Sequence, residues 1–394
     1  MQHHLLPTLE ELLLRRVIPF WFRHGVDRAR GGVLSAMTED GRVMREDKYL
    51  WSQGRWIWVC AALYGRLERR PEYLESAAAT AEFILRHGRD GQGRWLFAVT
   101  GDGAPLEGPT SIFADCFAIY GLSELYRILP DRRFIDTAVE TYRRVRARVE
   151  EEDFDEIAPA TMVPNARPHS VPMILTEVAN ELAVTTGEGE FERDAEGYAL
   201  SVMDRFVDAG TNLVHEWRTR EYAPLGPPHG TYVDIGHGIE SMWFVLHWAR
   251  RRGRRDLYSR GAAVLRRHIE EGWDPVHGGL FHSMDTRGAP PADPHWDKKL
   301  WWTHSEALYA LLLVEALTGE RWCGEWFNRI LEWCNAHFPL ADGSEWRQRL
   351  NRQGEPVTDV VALPVKDPFH LARALILMIE LLREQSAAAA GGKR

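Results

Sequence analysis

Four short stretches place titratable residues at matching points of the chain. They are Trp51-Ser52-Gln53-Gly54-Arg55, Gly236-His237-Gly238-Ile239-Glu240, Trp301-Trp302-Thr303-His304-Ser305-Glu306 and Phe369-His370-Leu371-Ala372-Arg373. Each opens a segment whose apolar residues recur at helical spacing. His237 and Glu240 stand three residues apart, as do His370 and Arg373, so each pair shares a helix face; His304 and Glu306 roughly do the same. Histidine titrates near neutrality, which suits proton transfer. One histidine at a helix start is ordinarily a cap or a core residue. Three such pairs at matching positions argue for one shared site. Where helix starts converge, their free amides favour an anion. A metal could use the same residues, but no HExxH and no tight His/carboxylate cluster is visible in the sequence. No GxGxxG opens a helix after a strand, and no GxSxG elbow occurs. Gly101-Asp102-Gly103 reads as a hairpin turn rather than a phosphate loop.

The elements that must position these residues follow from periodicity. Twelve amphipathic segments are expected near 7–24, 53–68, 72–88, 112–128, 132–150, 171–187, 190–209, 236–252, 255–271, 301–318, 320–337 and 367–384. Links after even-numbered helices are a few residues long; those after odd-numbered helices run to roughly 20–30. Most long links repeat an aromatic or apolar alternation followed by a polar turn with glycine, which reads as a β-hairpin. These inserts start near 32, 95, 214, 279 and 345, with a degenerate copy near 155. Two helices per period, six times over, is a repeat architecture. The expectation is all-α: an (α/α)6 barrel of six helical hairpins over residues 1–385, with short β-hairpins on one rim and a flexible tail over 386–394. All four stretches then open helices on the hairpin-bearing rim.

Composition narrows the ligand. The 394 residues carry 48 Lys+Arg against 57 Asp+Glu, a net charge of −9, which speaks against nucleic acid or an anionic membrane as partner. Sixteen Trp, 11 Tyr and 15 Phe supply core filler or stacking platforms, and the acidic balance leans toward sugars rather than bases. The longest uncharged apolar run, Ala307 to Val314, falls short of the ~20 residues that span a bilayer. The first residues, Met1-Gln2-His3-His4, do not read as a signal peptide. Four scattered cysteines without a CxxC pair fit a reducing cytosol, so a cytoplasmic location is expected.

The chain resembles the N-acylglucosamine 2-epimerase (renin-binding protein) family over almost its whole length. The resemblance rests on Lys48-Tyr49-Leu50-Trp51-Ser52-Gln53-Gly54-Arg55, Thr110-Ser111-Ile112-Phe113, Val171-Pro172-Met173 and Gly236-His237-Gly238-Ile239-Glu240. It rests also on Gly272-Trp273-Asp274-Pro275, Lys299-Leu300-Trp301-Trp302 with His304 and Glu306, and Phe369-His370 with Arg373. Cellobiose 2-epimerases and mannose isomerases share most of these marks. The resemblance implies an (α/α)6 barrel that moves a proton at C2 of a sugar. It implies His237 and His370 as the two bases, acting through an enediolate. Arg55, Trp51, Glu240, Trp302, His304, Glu306 and Arg373 become the substrate-binding and supporting residues. The expected reaction interconverts N-acetylglucosamine and N-acetylmannosamine. The alternatives are an epimerase or isomerase of unmodified sugars (mannose, glucose, cellobiose) and, from other classes, an (α/α)6 glycoside hydrolase or a sugar-binding protein. The scheme needs no metal or redox cofactor. Some family members are activated by ATP, but no nucleotide loop is evident here; a homodimer is the assembly left open. Asp234 and Asp367 depart from the residues usual in the N-acetyl branch. Either could bind a free hydroxyl, tune a histidine or face solvent.

Overall fold

The computed structural model describes residues 2–151, 163–358 and 365–391. Among these residues twelve helical segments alternate in burial, and that alternation is the fold. We number them α1 (6–24), α2 (50–67), α3 (Pro71–His87), α4 (Ile112–Ile128), α5 (Arg132–Arg148) and α6 (Ser170–Thr186). Then come α7 (189–206), α8 (Ile235–Arg252), α9 (Asp256–Gly272), α10 (Trp301–Thr318), α11 (Arg321–His337) and α12 (His370–Gly391). In α5 the buried residues Phe134, Ile135, Ala138, Tyr142 and Val145 form one stripe. In α10 every residue from Thr303 to Val314 is buried. A one-sided stripe makes an outer helix and an all-round apolar helix an inner one. The even-numbered helices touch in order, α2–α4–α6–α8–α10–α12, and α12 returns to α2, which closes the ring. The expected barrel is therefore present. The last helix runs on to Gly391, into the stretch expected as a tail.

Caps set the two kinds of link. Inner helices α6, α8 and α10 end on Gly187, Gly253 and Gly319, with φ of 73°, 68° and 74°. Glycine takes this left-handed conformation without a Cβ clash, so the chain reverses within a few residues. At the other rim Ser111, Asp234 and Asp367 accept hydrogen bonds from amides of the α4, α8 and α12 starts.

Among the described residues the long links carry nine short strands: β1 (Lys48–Tyr49), β2 (Ala98–Val99), β3 (Pro105–Glu107), β4 (Ala166–Pro168), β5 (Trp217–Thr219), β6 (Tyr232–Asp234), β7 (Ser283–Asp285), β8 (Lys299–Leu300) and β9 (Arg349–Leu350). Here the structure refines the expectation. The inserts do turn back on themselves, as at β2–β3, but each strand entering an inner helix pairs with the next repeat's link: β1 with β2, β4 with β5, β6 with β7, β8 with β9. Neighbouring links are thus stitched into a continuous rim. A second bridge recurs just beyond the outer helices, at Val26↔Val33, Arg89↔Trp95, Val207↔Val214, Trp273↔Leu280 and Pro339↔Trp346. The degenerate insert near 155 lies largely outside the described residues.

Two buried lysines brace this rim. Lys48 donates to Asp27 at 3.0 Å and to the Gly31 and Gly101 carbonyls. Lys299 repeats the arrangement with Asp274 at 3.3 Å and the Gly279 carbonyl. Both ammonium groups are fully buried, so these partners must satisfy them.

α2 and α4 approach so closely that backbone meets backbone. A Cβ on Gly54 would sit 2.3 Å from the Phe117 carbonyl oxygen, and one on Gly121 2.3 Å from that of Gly54. Ordinarily Gly→Ala inside a helix gains about 1 kcal/mol. At Gly54 the clash should reverse the sign, and Gly54→Ala should lose about 1–3 kcal/mol. Gly197 in α7 has nothing within 4 Å of a Cβ, so Gly197→Ala should gain about 0.5–1 kcal/mol. Urea unfolding of both variants reads the two signs directly.

Candidate active site

The first turns of α2, α8, α10 and α12 meet at the stitched rim. Trp302 is the floor on which two histidines rest. Its indole lies 5.7 Å from the His237 ring and 5.5 Å from the His370 ring. The space it needs comes from Gly236, where a Cβ would stand 2.2 Å from the indole.

Each histidine is held through Nδ1 by its own carboxylate. His370 Nδ1 lies 2.8 Å from Glu306, and His237 Nδ1 lies 3.1 Å from Glu216. A ring fixed at Nδ1 presents Nε2 as its working atom. The His237 amide donates to Asp234 at 2.9 Å, and the Asp234 carboxylate also stands 3.8 Å from His237 Nδ1. Burial opposes a charge on His237. The carboxylates of Asp234 and Glu216 outweigh it and raise its pKa to about 10. Burial would lift Glu216, but its histidine partners hold it down at about 2.

Beneath His370 lies a buried charge cluster. Arg373 donates from one nitrogen to both Glu240 and, at 2.7 Å, Glu306. The other Glu306 oxygen accepts from Trp243 Nε1 at 2.8 Å. Burial works against ionising Glu306, yet Arg373 and His370 keep it below the usual carboxylate range. Arg55 faces the same space from α2. It donates to Asp367 at 2.8 Å and lies over the Phe117 ring at 4.0 Å, with Trp51 at 5.0 Å. Asp367 also accepts from the amides of Phe369 and His370. Both of its oxygens are therefore committed to capping α12 and anchoring Arg55.

The structure thus brings together Trp51, Arg55, His237, Glu240, Trp302, Glu306, His370 and Arg373. His304 is the exception and a correction to the expected set. Its Nε2 accepts from the Leu280 amide at 2.8 Å, its Nδ1 bonds the Leu300 carbonyl at 2.7 Å, and its ring stacks on Trp333. Burial lowers its pKa to about 3, so it stays neutral. With both nitrogens bound to backbone it offers nothing to a ligand. It belongs to a repeated device: an inner-helix residue that satisfies the amide of a bridge residue. Gln53, likewise the fourth residue of its helix, bonds the Val33 amide at 2.7 Å. At the fourth position of α8 stands Gly238, and His268 from α9 fills the gap, bonding the Val214 amide at 3.2 Å.

Two polar residues escaped the sequence reading. Glu216 sits inside an insert read only as a hairpin. His169, just before α6, is fully buried with Nδ1 3.6 Å from Glu216. Neither stands in a motif; only their meeting with His237 in space marks them. No described helix is long and apolar enough to cross a membrane.

The family model for N-acylglucosamine 2-epimerase (GlcNAc 2-epimerase) matches residues 31–374. The N-acylglucosamine 2-epimerase of Bos taurus is 32% identical over 390 residues, covering 94% of this chain and 89% of its own. The human protein of that name is 31% identical, covering 94% and 88%. Among solved structures, a cellobiose 2-epimerase from Bacillus thermoamylovorans superposes with a TM-score of 0.85 at 18% identity, covering 96% of this chain and 99% of its own. A GH76 α-mannanase from Bacteroides thetaiotaomicron shares the fold at a TM-score of 0.63 and 10% identity, covering 96% and 97%. The chain belongs to the N-acylglucosamine 2-epimerase family.

Proposed function

We propose that this protein is a sugar 2-epimerase that interconverts N-acetylglucosamine and N-acetylmannosamine by moving the proton on C2. The observation that supports this best is the pairing of His237 and His370 on one indole, each with Nδ1 fixed and Nε2 left to work. Once the sugar ring opens, the C2 hydrogen is acidified by the C1 carbonyl. One histidine takes it as a proton, and the C2 electron pair moves onto O1 to give an enolate (an enediolate where C2 carries a hydroxyl). The other histidine returns a proton to the opposite face of C2. The two swap roles when the other epimer is the substrate. Arg55 stabilises the negative O1, helped by the helix starts that face it.

His237, held protonated by Asp234 and Glu216, is the acid of the resting enzyme. The N-acetyl assignment is supported by the mammalian relatives. The scheme uses no metal and no redox cofactor. A hydrolase needs one carboxyl group free to act as an acid. Glu240 and Glu306 both accept from the same Arg373 nitrogen, so neither is free for that role.

Turnover in D2O with N-acetylmannosamine, mannose and cellobiose tests the reading. Deuterium should enter C2 of the product from the N-acetyl sugar; conversion of mannose alone would move the assignment to unmodified sugars, and a released reducing end would make it a hydrolase. His237→Asn and His370→Asn should each lower turnover about 10²–10⁴-fold while circular dichroism stays unchanged. Near-normal turnover in either would break the two-base assignment.

The raised pKa of His237 has a signature in stability. Its folded value, about 10, lies above its unfolded value of 6.5. The contribution is complete below pH 6.5 and is lost as pH rises toward 10. Between pH 7 and 10, wild type should therefore lose more unfolding free energy than His237→Gln. Parallel curves from urea unfolding would show that His237 is not held as a cation.

A further inference from the structure

Among the described residues, two sets of three side chains bring potential metal-ligating atoms within 4.8 Å of one another. One is Glu240, Glu306 and His370. The other is His169, Glu216 and His237. Their charge balance separates them. The first already holds a cation, because the Arg373 guanidinium donates to both carboxylates. A dication there would meet a buried positive charge. In the second set Glu216 is the only carboxylate, and among the described residues its ion-pair partners are the two histidines.

The second set also contains a polar group in need of a partner. His169 is fully buried, and among the described residues neither of its ring nitrogens has a hydrogen-bond partner. Buried polar atoms are ordinarily satisfied. Its Nδ1 points toward Glu216 at 3.6 Å, on the carboxylate oxygen that also meets His237 at 3.1 Å. His237 is about a quarter exposed, which leaves a way in from the rim. Two imidazoles and one carboxylate, with a fourth position left for water, are a set that zinc-class ions favour.

We infer that His169, Glu216 and His237 form a binding site for a divalent transition-metal ion of the zinc class, and that filling it arrests the enzyme by taking His237 out of proton transfer. On Nδ1, the atom that faces Glu216, the metal takes the place of a proton, and Nε2 can then release its own proton only by leaving an imidazolate, which removes the ring from proton transfer at C2. The site is invisible in sequence because its ligands come from the start of α6, the link before β5 and the first turn of α8. Binding stands on geometry alone; only the arrest rests on the epimerase reading.

Zinc chloride is the probe, and binding is measured apart from turnover. Equilibrium dialysis of the folded wild type should find one bound zinc per chain, removable by EDTA. His169→Gln and Glu216→Gln should each weaken it about tenfold or more, with circular dichroism confirming the fold. In the turnover assay, the zinc concentration for half-inhibition of His169→Gln should rise by a similar factor, whatever its own rate. No retained zinc in the wild type, or equal affinity in both variants, overturns the site. Loss of zinc in Glu306→Gln with retention in His169→Gln would place the metal in the other cluster and overturn it too. Zinc bound as described with turnover unimpaired overturns the arrest. A protein that binds zinc as described but turns over no sugar would leave the site standing and count against the epimerase reading alone.

Discussion

The His370 side of the reactive rim depends on one buried cation. The Arg373 side chain is 1% exposed, and it reaches from α12 to Glu240 on α8 and Glu306 on α10. Three inner helices are tied at one point. Such a cluster is costly to bury and costlier to break, since removing one partner of a buried pair typically costs about 3–5 kcal/mol. Its value lies in geometry. With one oxygen of Glu306 on Arg373 and the other on Trp243, the carboxylate cannot turn, and the His370 ring bonded to it cannot either. A proton transfer needs that fixity, because a shift of about an ångström can cost a hundredfold in rate.

The ring divides its labour between two ends. Where the inner helices begin, long links leave room for a ligand, and helix dipoles favour the anion that forms when C2 loses its proton. Where they end, short links allow no such space, and the ends are tied by charge. Arg66 bonds Glu124 at 2.6 Å and Glu380 at 3.2 Å, and Arg127 reaches Glu124 at 2.8 Å as well as Glu181. This locks α2, α4, α6 and α12 together at the closed end. The lysine–aspartate braces and the inter-repeat strands do the same for the open end. A rigid ring is what lets side chains from four separate helices hold one arrangement.

The helices were legible because their cause is local: a period of 3.6, a capping Asp or Ser before the first turn and a glycine after the last. Ring closure was legible from the alternation of link lengths. The partners of the rim strands were not, because nothing near Lys48 specifies Val99 as its neighbour. The site divides the same way. His237, Glu240, Glu306, His370 and Arg373 could be found because they fall in the first turns of inner helices. Glu240 and Glu306 even share the sixth position of theirs, and both meet Arg373. His304 misled because the fourth position serves the link amide instead, as Gln53 already does in α2. Glu216 and His169 stayed hidden because their meaning comes from long-range contact with His237.

In the proposed reaction His237 and His370 serve opposite faces of the same C2 carbon. Hydrogen exchange from each pure epimer in D2O, followed in the two single His→Asn variants, tests it most directly. Each variant should still wash deuterium into one epimer, the one whose proton the surviving histidine removes, without forming the other, and the two variants should favour opposite epimers. If both variants exchange the same epimer, or either still interconverts the two, a single base does the work and the two-histidine account is wrong.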